Sequence, residues 1–100
     1  MSNRGYAGFY KGIYLRSSYE YAYAKYLDYN NISWSYEDVS FDIGYKIYKP
    51  DFFFYDENKK LTKIVEIKSR NQRAKDEARK ALDIIKQEYN IECELLSYEE

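Results

Sequence analysis

Residues 50–68 read PDFFFYDENKKLTKIVEIK, and this stretch decides the fold. It holds two runs rich in aromatic and β-branched residues, separated by a charged turn segment, and therefore predicts an antiparallel β-hairpin. Because side chains alternate along a strand, Glu66 and Lys68 are expected on the same face, roughly 7 Å apart along the strand. Asp51 is expected on the partner strand. The hairpin is thus predicted to carry two carboxylates and one amine.

The elements around the hairpin are predicted from the period of the apolar residues. Tyrosines, alanines and a leucine at helical spacing indicate a helix that begins at Ser17 and ends at Asn30. An alanine, leucine and isoleucine stripe indicates a second helix over residues 71–89. The remaining predicted elements are strands over residues 32–37, 45–55, 61–68 and 91–96, with an edge or a bend at Pro50 and a connection over residues 38–44.

The fold class is therefore α/β, with the order α-β-β-β-α-β and a mixed four-stranded sheet flanked by helices. The second helix is expected to be a right-handed crossover to a parallel strand. One hundred residues suit one domain, which we place over residues 1–100 with an N-terminal arm over residues 1–14. Residues 97–100 resemble the start of a helix, which suggests a missing C-terminal extension or a minimal core that pairs with a second copy.

Composition excludes several classes of protein. The chain has no histidine, which removes Ser-His-Asp and Cys-His catalysis, HExxH zinc sites and histidine-based nucleases. Cys93 is the only cysteine, so no intramolecular disulfide and no multi-cysteine zinc site can form, and we interpret it as a core thiol. No apolar run is long enough to cross a bilayer, and there is no signal-peptide pattern.

The charge is distributed unevenly along the chain. The net charge is −1, yet residues 41–80 hold eleven Lys or Arg against seven Asp or Glu, an excess of four positive charges. A local positive patch of this kind can bind a polyanion although the whole chain is nearly neutral.

Each candidate site residue also has a structural interpretation. Asp51 is disfavoured inside a strand and on its own is typical of a turn after proline. Glu66 stands among Ile and Val in a strand that otherwise looks buried, where a charge costs several kcal/mol unless it is paired or bound to metal. The alternative for Glu66 is a surface ion pair with Lys68 on an exposed sheet face.

Pro50-Asp51 and Glu66-Ile67-Lys68, set in this order of elements, resemble the PD-(D/E)XK nuclease superfamily. The resemblance covers roughly residues 15–96 and implies a restriction-endonuclease-like core. It also implies that Asp51, Glu66 and the backbone carbonyl of Ile67 bind Mg²⁺, with Mn²⁺ as a substitute. Lys68 would orient or deprotonate the attacking water, or stabilise the transition state. The implied products carry 5′-phosphate and 3′-hydroxyl ends.

Glu20 is the fourth candidate catalytic residue. Many members of the superfamily carry a glutamate on the first helix that reaches the metal site, and Arg16-Ser17-Ser18-Tyr19-Glu20 supplies one here. Ser17-x-x-Glu20 is equally typical of a capping box, in which the glutamate bonds back to the N-cap backbone. This form of the motif looks most like phage-type junction-resolving or site-specific endonucleases, which implies the cytoplasm of a bacterial or phage-infected cell.

DNA contacts are predicted on both sides of the motif. The basic residues concerned are Lys46, Lys49, Arg70, Arg73 and Lys75, and each could equally belong to a solvated surface. The leading hypothesis is a Mg²⁺-dependent DNA endonuclease acting on duplex or branched DNA. The alternatives are a catalytically inactive DNA-binding or assembly module of the same fold, and an α/β domain whose charges match by chance. So small a nuclease is expected to form a homodimer or to use a separate specificity domain.

Overall fold

The computed structural model describes residues 8–97, which form a mixed α/β fold with two helices and a four-stranded mixed sheet. The elements are β1 (Gly8–Tyr10), β2 (Ile13–Leu15), α1 (Ser18–Tyr29), β3 (Ser35–Tyr36), β4 (Phe41–Asp42), β5 (Ile47–Tyr48), β6 (Phe52–Tyr55), β7 (Leu61–Lys68), α2 (Gln72–Tyr89) and β8 (Glu92–Ser97). The chain divides into two compact units after Trp34. Part of the predicted arm, residues 1–7, and most of the predicted helix start, residues 98–100, lie outside the described residues.

The main sheet of the second unit has the strand order β3-β6-β7-β8. β6 and β7 are antiparallel, with Phe52 opposite Val65. β7 and β8 are parallel, with Glu66 beside Leu95. The predicted hairpin and the predicted parallel pairing after the second helix are therefore confirmed.

The strand predicted over residues 45–55 is wrong as a single element, because it is divided into β5 and β6. Pro50 has no backbone N–H, and the N–H of Asp51 donates to the Glu66 side chain instead of to a neighbouring strand. β5 pairs with β4 in a separate two-stranded sheet, where Phe41 is opposite Tyr48. β4 lies in the segment predicted as a connection, and the strand predicted over residues 32–37 shortens to β3.

The turn between β6 and β7 is fixed by one side chain. Asp56 Oδ1 accepts hydrogen bonds from the N–H of Asn58 at 2.8 Å and from the N–H of Lys60 at 2.9 Å. Lys59 has a φ of 64°, in the left-handed region. The charged turn segment predicted between the two strands is thus confirmed at residues 56–60, and the hydrogen bonds of Asp56 explain why it forms there.

α2 is bounded by two asparagines. The Asn71 side chain accepts from the N–H of Ala74 at 2.9 Å and caps the first turn. Asn90 adopts a φ of 57° and ends the helix, as asparagine can in the left-handed region. The predicted second helix is confirmed. Within residues 8–97, neither helix combines the length and the apolarity needed to span a bilayer.

The apolar stripe of α2 packs on one face of the sheet. The buried residues of this core cluster are Phe41, Ile43, Phe53, Ile64, Ala81, Leu82, Ile85 and Ile91. Cys93 packs against the cluster, and its burial raises the pKa of the thiol to about 11. The thiol therefore stays protonated at neutral pH, as the predicted core role requires.

The first unit contains a β-hairpin that the sequence analysis did not predict. β1 and β2 are antiparallel, and Tyr10 is opposite Ile13 across a two-residue loop. Lys11 and Gly12 in that loop have φ values of 53° and 82°. Two successive positive φ values are typical of the tight turns that match the twist of a hairpin.

α1 begins and ends where the sequence predicts. Ser17 is its N-cap, with Oγ accepting from the N–H of Glu20 at 3.2 Å, and Asn30 is its C-cap. Ala24 and Leu27 are buried along one side of the helix. The predicted first helix is therefore confirmed, including its capping residue.

Asp28, near the end of α1, joins several parts of the first unit. Its carboxylate accepts from the hydroxyl of Tyr10 at 2.8 Å and from the indole N–H of Trp34 at 2.9 Å. The ammonium of Lys11 lies 2.9 Å from Asp28 Oδ2. These contacts, with Lys11 the largest, lower the pKa of the Asp28 carboxyl from 3.8 to about 2.

Acid should disrupt this network only below about pH 3.8, and Trp34, the only tryptophan of the chain, can report the change. Because the pKa of Asp28 is depressed in the folded state, its contribution is complete above pH 3.8 and is lost as the pH falls towards about 2. We expect the Trp34 emission of the wild type to change over this window. Asp28→Asn should remove that change, and identical acid titrations of the two proteins would contradict the assignment.

Candidate active site

Two buried carboxylates face each other where β6 begins and β7 ends. Asp51 directly precedes β6 and Glu66 lies near the end of β7, and they are only 2% and 4% exposed. Phe52 is opposite Val65 in the antiparallel ladder, so the same register extended by one residue places Asp51 opposite Glu66. The structure therefore brings together the two carboxylates predicted from the sequence.

Reciprocal hydrogen bonds connect these two residues, and we call the arrangement the carboxylate clamp. The N–H of Asp51 donates to Glu66 Oε1 at 3.1 Å. The N–H of Ile67 donates to Asp51 Oδ2 at 2.9 Å. Each carboxylate thus takes the place of a backbone acceptor, and the two bonds reduce the cost of burying the charges.

Lys68 lies beside the clamp on the same face of β7 as Glu66. Its Nζ is 3.3 Å from Glu66 Oε2, and 34% of its side chain is exposed. The predicted Glu66–Lys68 pair therefore forms, but with a buried glutamate instead of an exposed one. Burial raises the pKa of the Glu66 carboxyl, and the nearby Lys68 only partly opposes this rise.

Tyr48 is a site residue that the sequence analysis missed. Its ring packs against the core cluster, and its buried hydroxyl lies near the Glu66 carboxylate without a hydrogen bond of normal geometry. Burial, followed by the charge of Glu66, raises the pKa of the Tyr48 hydroxyl. The sequence does show a tyrosine just ahead of Pro50-Asp51. The face of the sheet that its ring takes could not be predicted, because the strand expected over residues 45–55 is divided at Pro50 into β5 and β6.

The chemistry of these donors fits a hard divalent cation. Mg²⁺ prefers oxygen ligands, retains several waters and is commonly bound through one or two carboxylates. Asp51 and Glu66 supply two buried carboxylates whose charge is costly without a positive partner. In the described part of the chain, no group of three or more His, Cys, Asp or Glu side chains could hold a metal, so the fit depends on the two carboxylates Asp51 and Glu66. The carbonyl of Ile67 as a further ligand stays a prediction.

Glu20 belongs to the first unit and is described there by itself. It is 6% exposed, and its Oε1 accepts from the N–H of Arg16 at 2.9 Å. The N–H of Glu20 also donates to Ser17 Oγ, as in the capping box expected from the sequence. The side chain of Glu20, however, bonds to the N–H of Arg16, one residue before the N-cap Ser17 whose N–H was expected to donate. Its predicted role at a metal site stays a prediction.

The basic residues predicted to contact DNA lie at two places in the second unit. Lys46 and Lys49 are exposed on either side of β5, and the ammonium of Lys46 is 5.7 Å from the centre of the Tyr48 ring. Arg70 is exposed ahead of α2, and Lys75 is half-buried in its first turns. Arg73 is exposed and forms a long ion pair of 3.8 Å with Glu77. A surface pair of this length contributes little to stability, so Arg73 can exchange it for a phosphate.

Glu66→Gln should leave the protein at least as stable at pH 7 and should flatten its stability as a function of pH. The pKa of Glu66 is raised above 4.5 in the folded state, so wild-type stability falls as the pH rises from about 4.5 through the raised value. Glutamine is neutral and retains an oxygen for the N–H of Asp51. Urea unfolding across this range measures the difference.

Glu94→Gln is the matched control for that experiment. Glu94 is a strand glutamate that pairs with Lys63 at 2.9 Å, but 43% of its side chain is exposed. The control should retain the pH profile of the wild type. A Glu66→Gln protein that loses stability relative to the wild type as the pH rises would contradict the raised pKa.

In comparisons with known proteins, no family model, curated protein or solved structure matches this chain. The resemblance of Pro50-Asp51 and Glu66-Ile67-Lys68 to one nuclease superfamily therefore stays a prediction. What supports a function is the geometry of the carboxylate clamp and Lys68.

Proposed function

We propose that this chain is a Mg²⁺-dependent DNA endonuclease with a restriction-endonuclease-like core and a PD-(D/E)XK active site. The observation that supports this most is the carboxylate clamp with Lys68 3.3 Å from Glu66. A cation held next to a further positive charge accelerates hydrolysis of a phosphodiester, because negative charge accumulates on the phosphate in the transition state. Asp51 and Glu66 would hold the cation, and the partly exposed ammonium of Lys68 supplies the further positive charge.

Each residue of the site has a defined task in this proposal. Asp51 and Glu66 would hold the cation, which when bound lowers the pKa of water and stabilises charge on the phosphate. The backbone N–H groups of Asp51 and Ile67 keep the two carboxylates in a fixed orientation. Lys68 is one-third exposed, so its ammonium can reach a substrate and stabilise the phosphate or orient the attacking water.

The proposed substrate is duplex or branched DNA. Exposed Lys46, Lys49, Arg70 and Arg73 would contact phosphates, which position the duplex without reading its sequence. Sequence-specific recognition needs an interface on the order of 1,000 Å² of protein surface or more. The proposal therefore includes a homodimer or a partner domain that supplies specificity.

Lys68→Ala should reduce Mg²⁺-dependent nicking of supercoiled plasmid by about 10²–10⁴-fold while the protein stays folded. Asp51→Asn should have a comparable effect, because it removes the charge and keeps an oxygen for the N–H of Ile67. Asp51→Ala is the poorer test, since it leaves that buried N–H without its acceptor at a cost of about 1–3 kcal/mol.

Lys63→Ala is the control for Lys68→Ala. Lys63 is on the same strand and is 33% exposed, and it pairs with Glu94 much as Lys68 pairs with Glu66. Lys63 and Lys68 are five residues apart and therefore lie on opposite faces of β7, so loss of the Lys63 side chain should leave cleavage unchanged. Full activity of Lys68→Ala would contradict the site. A wild type that binds DNA without cutting would support the inactive module, and one that does neither would support a plain α/β domain.

Arg70→Ala should weaken DNA binding with little dependence on sequence. Loss of one phosphate contact should also reduce the slope of log affinity against log salt by about one. Fluorescence anisotropy with Ca²⁺ in place of Mg²⁺ separates binding from cleavage. Arg79→Ala, which removes an arginine near Asp76 later in α2, is the control, and equal losses in both variants would contradict a role specific to Arg70.

A further inference from the structure

One buried polar atom has no hydrogen-bond partner. Among the buried side-chain nitrogens and oxygens of residues 8–97, only the hydroxyl of Tyr48 lacks one. Buried polar groups in native proteins are nearly always paired, and an unpaired one calls for an explanation, such as a functional role or a bound water or ion. The exception here lies beside the candidate site and not in a distant part of the core.

The fold holds the Tyr48 hydroxyl in this place. β5 pairs with β4, which puts Tyr48 opposite Phe41, and the ring packs against the core cluster. The hydroxyl lies near the Glu66 carboxylate and has almost no contact with solvent. A tyrosine held at both its backbone and its ring cannot easily turn its hydroxyl out to water.

Glu66 needs a donor of this kind if the site works on phosphate. In this structure, Asp51 N–H donates to Oε1 and Lys68 pairs with Oε2. A lysine that turns to a phosphate leaves the buried carboxylate oriented by the N–H of Asp51 at Oε1 and weakens the contact at Oε2. A neutral phenol nearby can replace that contact without adding a charge.

We propose that Tyr48 is a positioning residue, whose hydroxyl donates a hydrogen bond to the Glu66 carboxylate when that carboxylate binds a divalent cation. This inference rests on the proposed function, because it concerns the same cation. Hydrogen bonds to metal-binding carboxylates fix their orientation, and their removal typically lowers metal affinity by about 10- to 100-fold. Tyr48 thus holds Glu66 in place and leaves Lys68 available for the substrate.

Tyr48→Phe tests the proposal without any DNA. The affinity for Mn²⁺ alone, measured by calorimetry or by the paramagnetic resonance of free Mn²⁺, should fall about tenfold. Stability of the metal-free protein towards urea should be unchanged or higher, because the variant loses a hydroxyl that has no partner. A merely structural hydroxyl would give the opposite pattern, with lower stability and unchanged affinity for Mn²⁺.

Tyr89→Phe is the matched control. The hydroxyl of Tyr89 donates to the carbonyl of Asp42 at 3.2 Å, and its ring packs on Phe41 in the same unit. This variant loses a formed hydrogen bond, so its urea midpoint should fall while its affinity for Mn²⁺ stays that of the wild type.

The outcomes separate this inference from the function on which it rests. A wild type that neither binds Mn²⁺ nor cuts DNA overturns both. A wild type that binds and cuts, with a Tyr48→Phe variant of equal Mn²⁺ affinity, overturns the role of Tyr48 alone. A tenfold loss of affinity in Tyr48→Phe, with none in Tyr89→Phe, supports it.

Discussion

The burial of two carboxylates opposite each other is the constraint on which the candidate site depends. Like charges at close range in a medium of low polarity repel, and only Lys68 lies close enough to Glu66 to form an ion pair with it among the contacts described above. The N–H groups of Asp51 and Ile67 reduce that cost by bonding to the carboxylates instead of to a neighbouring strand. The regular backbone pairing of the hairpin therefore ends here, and the hydrogen bonds that replace it hold the two carboxylates in fixed positions.

Structural and chemical roles coincide in this arrangement. The bonds that extend the pairing of β6 with β7 also orient the oxygens that would bind a cation, so substitutions at Asp51 alter both. A buried pair of this kind is poor support for stability on its own, since apolar residues of similar volume would serve the fold at least as well. The raised pKa of Glu66 supports the same conclusion, because it means that the ionised carboxylate destabilises the folded state.

The sequence predicted the parts of the fold that carry a long periodic signal. α1, β7 and α2 have enough residues for their apolar period to be recognised, and their caps at Ser17 and Asn71 agree with it. β1, β2, β4 and β5 have two or three residues each, too few for alternation to be distinguished from a loop. Asp51, Glu66 and Lys68 could be placed together because register follows from one hairpin. Tyr48 could not, since its face depends on the pairing of β5 with β4, which is set by tertiary contacts.

The turn closed by Asp56 has a consequence for the chemistry of the site. The length of this turn, together with the register shift between Phe54 and Tyr55, sets how β6 is aligned with β7, and side chains alternate with a period of two. A slip of one residue would turn Val65 or Ile67 to the position of Glu66 and bury an isoleucine or valine where the cation is proposed to bind. Asp56 and its loop lie at the opposite end of the hairpin from the site, and by fixing the register they determine which residues of β7 could take part in the proposed reaction.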